Sequence, residues 1–150
     1  MLKAIIFFGM LAIVSCTRDE VIYYEYNGIT ITRIDRGNQI YFYYGKCNED
    51  RKSCSKSYIK AEYSGLNSGM GGYIVFTSDG KAELIRVYDS FEKVGSDSLL
   101  SLKEYNNIEF INWTDSIKGN YNNVIEVCDI LKLEKEKNFK NRSKVKAIYP

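Results

Sequence analysis

Residues 23–34 read YYEYNGITITRI, and this stretch decides the fold class. Two runs of β-branched and aromatic residues flank Asn27-Gly28. Such side chains suit the pleated surface of a sheet, and Asn-Gly supplies the two positive φ angles of a type I′ hairpin turn. The period of two then assigns faces. Ile22, Tyr24 and Tyr26 share one face of the first arm, and Ile29 and Ile31 share one face of the second.

Working outward, Asp35-Arg36-Gly37-Asn38 reads as the next turn and QIYFYYG (39–45) as a third strand, so an antiparallel meander is expected. The segment from Ser57 to Tyr63 alternates and predicts another strand. SGLNSGMGG (64–72) is a glycine-rich loop; its GMGG end leads into a strand rather than a helix, which speaks against a phosphate or oxyanion nest. YIVFTSDGKAELIRVY (73–88) predicts a second hairpin around Asp79-Gly80. Its first arm is a continuous apolar run, as in a central strand; its second sets Ala82, Leu84 and Arg86 against Glu83, Ile85 and Val87.

One helix is expected, capped by Asp97 or Ser98, carried by Leu99, Leu102 and Tyr105 and ended by Asn106-Asn107. IEFINW (108–113) then reads as a strand, TDSIKGNYNN (114–123) as a polar loop, and VIEVCDILKL (124–133) and KVKAIY (144–149) as the last strands. About nine strands and one short helix predict an all-β, mainly antiparallel barrel or sandwich, with a calycin-like barrel as the preferred topology.

The N-terminus has a different character. Lys3 precedes the apolar run Ala4 to Val14, which is too short to cross a bilayer and has the layout of a secretory signal. It ends in Ile13-Val14-Ser15-Cys16, which resembles the lipobox of bacterial lipoproteins. The resemblance implies cleavage before Cys16, lipidation of Cys16 and anchoring to the outer membrane; several acyl chains anchor stably where one does not. Thr17-Arg18-Asp19-Glu20 is similar to the surface-export signal of Bacteroidota lipoproteins, with Arg18, Asp19 and Glu20 as the signal residues and the cell surface as the implied address. The periplasm-facing leaflet is the alternative. Asp97-Ser98-Leu99 and Asp115-Ser116-Ile117 resemble the triplet at which Bacteroidota glycosylate exported proteins, which makes Ser98 and Ser116 candidate O-glycosylation sites. The expected organisation is a signal peptide (1–15), a lipidated tether (16–20) and one domain (21–150) of ordinary size.

Composition narrows the chemistry. The 21 basic and 19 acidic residues give a net charge of +2, unlike the clustered positive charge of a nucleic-acid surface. The basic stretch from Lys132 to Lys146 is interleaved with Glu134 and Glu136 and reads as a solvated strand end or loop. Histidine is absent, which removes imidazole bases and His-ligated metals from consideration; no cofactor and no metal are expected. Cys47 and Cys54 bracket the polar NEDRKS and are read as a disulfide of an oxidising compartment. A zinc pair would need distant Cys128 as a third ligand; Cys128 reads instead as a buried free thiol.

The acids Glu25, Asp35, Glu49, Asp50, Glu62, Asp79, Glu83 and Glu92 are scattered and offer no paired carboxylates of a glycosidase, and no nucleophile elbow or Walker-type loop is present. Tyrosine, at 13 residues against 7 phenylalanines, is the unusual resource. If Ile40, Phe42 and Tyr44 face the core, then Tyr41, Tyr43 and Tyr23 lie on the opposite face, where tyrosines on a rigid sheet can bind a partner. A covering loop or layer would make them core. The expected function is a non-enzymatic envelope lipoprotein that binds a protein or glycan through this face and the Cys47–Cys54 loop. The alternatives are an immunity or inhibitor lipoprotein and, third, a carboxylate-dependent hydrolase.

Overall fold

The computed structural model describes residues 19–62, 71–86, 91–117, 122–128 and 143–150. The strands are β1 (Glu20–Tyr26), β2 (Ile29–Arg36), β3 (Gln39–Tyr44), β4 (Tyr58–Glu62), β5 (Gly71–Phe76), β6 (Ala82–Arg86), β7 (Phe91–Val94), β8 (Leu100–Glu104), β9 (Val124–Cys128) and β10 (Lys146–Ile148), with one helix, α1 (Asn107–Ser116). They form a six-stranded sheet in the order β10-β1-β2-β3-β4-β7 and a four-stranded sheet in the order β8-β6-β5-β9. The molecule is an all-β sandwich with one short helix. The preferred calycin-like barrel is not formed, because no ladder joins the edges of the two sheets among the described residues. β7 and β8, consecutive in the chain, lie in different sheets.

The predicted hairpin is present. Asn27 (φ 47°) and Gly28 (φ 80°) both take the left-handed conformation, and the register runs from Tyr26 opposite Ile29 to Glu20 opposite Asp35. The inner faces meet in one core: Ile22, Tyr24, Ile31, Phe42 and Ile59 from the larger sheet against Ile74, Phe76, Leu84, Ile125 and Val127 from the smaller. Each such side chain contributes about 1.5–3 kcal/mol on burial, whereas an exposed ion pair such as Arg86–Glu104 contributes about 0–1 kcal/mol. Burial therefore carries the fold.

One charged pair enters the inner face. Arg33 sits in register with Ile22 and Phe42, is fully buried, and grips Asp35 with two bonds of 2.7 Å. Burial pushes the Asp35 carboxyl above the ordinary carboxylate range, and the opposing pull of Arg33 is the smaller effect. Losing one partner would strand a charge inside the sandwich.

The helix is displaced from its expected place. Leu99, Leu102 and Tyr105 do have helical spacing, but Leu100 is buried while Leu99 is exposed, and β8 runs parallel to β6 with Leu100 opposite Ala82 and Leu102 opposite Leu84. The helix starts later, within the segment read as the strand IEFINW. The Asn106 carboxamide accepts from Ile108 N and Glu109 N at 3.0 and 2.9 Å, and Glu109 Oε2 accepts from Asn106 N at 3.0 Å. This capping box satisfies three of the backbone donors around the helix start. Phe110 and Trp113, one turn apart, then meet the Tyr73 ring at 5.8 and 5.2 Å. Ser116, expected in a loop, is the last residue of α1.

Asn106→Ala should therefore destabilise the domain by about 1 kcal/mol and lower the melting temperature by about 3 °C, with loss of far-UV helical signal. An unchanged melting temperature would contradict the capping box.

Candidate functional site: a tyrosine face beneath a disulfide loop

Tyr23, Tyr41 and Tyr43 lie on the outer face of the larger sheet, as alternation requires, and of the two readings the residues allowed, an open binding face or a covered one, the covered one is present. Their relative exposures are 7%, 8% and 3%. They pack with Val21, Ile34 and Cys47 into a second apolar cluster, with Cys54 and Tyr58 at its margin. The covering element is the segment between β3 and β4. Gly45, at φ 88°, donates its N–H to Thr30 O at 2.7 Å and turns the chain. Thr32 Oγ1 donates to Gly45 O at 2.6 Å and accepts from Cys47 N at 3.2 Å. The hydroxyl of Tyr23 donates to Cys47 O at 3.1 Å, which ties the face directly to the loop.

A disulfide joins Cys47 to Cys54 across a Cα–Cα distance of 4.9 Å. In the chain-entropy picture so small a loop gains about 2–3 kcal/mol, and the larger consequence is a single loop shape. Arg51 N donates to Asn48 O and Cys54 N to Arg51 O, each at 3.0 Å, while Asn48 N donates to Ser53 Oγ at 3.2 Å. Arg51 takes φ 58°, an unfavoured value for a residue with a Cβ. That conformation accompanies a guanidinium whose Cζ lies 4.3 Å from the centre of the Tyr41 ring, with Nη1 at 3.5 Å from the Tyr43 hydroxyl. On the other flank Lys46 Nζ is 4.8 Å from the Tyr23 ring centre. Both contacts are cation–π interactions, worth about 0.5–2 kcal/mol according to exposure.

The rings also contact each other. Tyr41 and Tyr43 are stacked at 6.4 Å, and Tyr58, directly opposite Tyr43 in the register, meets them at 5.7 and 5.5 Å. The Tyr41 hydroxyl donates to Gln39 Oε1. Sequence reasoning named three tyrosines and the loop but missed Tyr58, Lys46 and Arg51. Tyr58 was legible as the first aromatic of an alternating strand. Which cation of the loop folds back has no sequence signature.

The remaining candidates are dispersed. Cys16 and Arg18 lie outside the described residues. Asp19 and Glu20, read as tether, belong to the folded domain: the carboxylate of Asp19 accepts from Arg36 Nε at 3.0 and 2.7 Å, and Glu20 opens β1 opposite Asp35. Ser98 is exposed between β7 and β8. Ser116 is exposed, with its hydroxyl donating to Trp113 O at 2.6 Å. Cys128 closes β9. Among the described residues no three His, Cys, Asp or Glu side chains gather as a metal site.

The loop presents a polar surface held by the disulfide. Asn48, Asp50, Lys52, Ser53 and Lys56 are exposed above the buried rings. Burial pushes the Tyr43 phenol above its ordinary value of 10.0, outweighing the opposite pull of Arg51. The unfolded phenol ionises first, so the contribution of Tyr43 to stability is complete below about pH 10 and is lost as pH rises through the folded value. Tyr43→Phe should flatten the loss of stability above about pH 10 in denaturant titrations; an unchanged slope would place Tyr43 in water.

No family model, no curated protein and no solved structure matches the chain.

Proposed function

We propose that this chain is a lipid-anchored binding protein of the bacterial cell envelope, which presents the Cys47–Cys54 loop to a protein partner. The observation that carries the reading is the loop itself, closed by a disulfide and seated on a bed of tyrosines. Holding a loop in its bound shape before the encounter lowers the entropic cost of association. Support for the address comes from Ile13-Val14-Ser15-Cys16 and from the disulfide, which suits an oxidising compartment. The scattered carboxylates support binding over hydrolysis. The inhibitor reading uses the same surface, since a stiff projecting loop suits the cleft of an enzyme, and the identity of the partner separates the two.

Two measurements test the proposal. Cys16→Ser should move the protein from the membrane pellet to the soluble fraction after a high-salt wash; retention in the pellet would refute the anchor. A photo-crosslinking residue at exposed Lys52 should give one discrete adduct in intact cells, and an equivalent residue at exposed Lys103 on the smaller sheet should not. The Lys52 adduct should disappear in the Cys47→Ser, Cys54→Ser variant. Equal crosslinking from both positions, or none from Lys52, would refute the loop as the binding surface.

A further inference from the structure

The hairpin that decides the fold also walls an open groove of about 440 Å³, lined by Tyr26, Asn27, Phe76, Ser78, Asn122 and Asn123 among others. The size falls within the roughly 300–1,000 Å³ of small-molecule sites. No lining side chain carries a charge. The nearby Asp79 is matched by Lys81 at 2.6 Å, so the turn above the groove adds little net field.

Several of the lining residues are held in place by hydrogen bonds. Phe76 N donates to Asn123 O at 2.9 Å, and Asn123 Nδ2 donates to Phe76 O at 2.6 Å, so both polar groups of the Phe76 backbone are held by one residue. Lys144 N donates to Asn122 O at 2.8 Å, and the Tyr44 hydroxyl donates to Gly80 O at 2.6 Å. Tyr26 rests against the Phe76 ring at 5.7 Å and is half-buried. Several polar groups are nevertheless left over. Among the described residues, nothing hydrogen-bonds the Tyr26 hydroxyl, the Asn27 carboxamide or the Ser78 hydroxyl, and Asn123 Oδ1 is likewise unengaged.

An aromatic ring beside neutral groups that both donate and accept is the complement of a sugar, which has an apolar C–H face and a belt of hydroxyls. A peptide fits less well. Strand addition works through the backbone of a sheet edge, whereas Asn27, Ser78 and Asn123 lie outside the strands and offer side-chain groups. A phosphate or acidic group would meet no cation among the lining residues.

We propose that this groove binds a neutral saccharide, with a sugar face resting on Tyr26 and its hydroxyls bonded by Asn27, Ser78 and Asn123. The site is independent of the loop reading, since none of these residues belongs to the loop.

The test is frontal affinity chromatography on immobilised full-length protein, with fluorescently labelled triacetylchitotriose and maltotriose as neutral probes and sialyllactose as an anionic control. At least one neutral trisaccharide should be retarded more than sialyllactose. Tyr26→Ala should weaken that retention by about tenfold or more. Because Tyr26 also touches the core, Ser78→Trp provides a second variant: it fills the groove from an exposed turn position and should abolish retention with the melting temperature unchanged. Absence of retardation for both neutral probes, preference for sialyllactose, or retention undiminished in Ser78→Trp would overturn the proposal. None of these outcomes bears on crosslinking from Lys52, so the two readings fail separately.

Discussion

The packing of the 46–57 loop onto Tyr23, Tyr41 and Tyr43 is the contact on which the larger sheet depends. An antiparallel sheet normally buries one face and wets the other. Here β1, β2 and β3 are buried on both, so Val21 to Tyr24 and Ile40 to Tyr43 are continuous stretches of buried residues rather than alternating ones. Without the loop, three tyrosines and Ile34 would form an exposed apolar patch of the kind that marks an interface or an aggregation site. The disulfide, the bonds of Thr32 and Tyr23 to the loop backbone, and the Arg51 stack all serve that one closure.

Much of this was legible in the residues. Asn27-Gly28 announced its hairpin because few other dipeptides adopt two positive φ angles without strain. The division of Ile40, Phe42 and Tyr44 from Tyr41 and Tyr43 followed from the pleat alone, and the pairing of Cys47 with Cys54 from their positions around a polar loop. What failed was decided by tertiary partners. Leu99, Leu102 and Tyr105 suggest a helix, and Leu100 with Leu102 suggest a strand; only the presence of β6 beside them selects the second. IEFINW has β-prone residues, yet the Asn106–Glu109 capping box and the Tyr73 ring waiting on the smaller sheet make it helical. Whether tyrosines on an outer face are covered depends on the path of the following loop, which turns at Gly45 with no local pattern to foretell it.

The two proposed surfaces adjoin. Thr30 lines a second open groove of about 450 Å³ beside the hairpin, and its carbonyl accepts the N–H of Gly45, where the loop begins. The same end of the sandwich thus carries the disulfide loop, a groove walled by Tyr26 whose lining side chains are uncharged, and the neighbouring groove that also holds Glu25, Lys144 and Lys146. Asp19 and Glu20 enter the fold at the far end of β1 from its Tyr26 turn. In an anchored protein, both surfaces would then face away from the attachment point.

The most direct test of the closure is tyrosine nitration mapped by mass spectrometry, on oxidised protein and after reduction of the Cys47–Cys54 bond. In the oxidised protein, half-buried Tyr26 and Tyr105 should be nitrated well before Tyr23, Tyr41 and Tyr43. Reduction should bring the latter three up to comparable rates while fully buried Tyr24 stays protected. Nitration of Tyr41 and Tyr43 in the oxidised protein as fast as Tyr26 would contradict the account and leave the tyrosine face open to solvent.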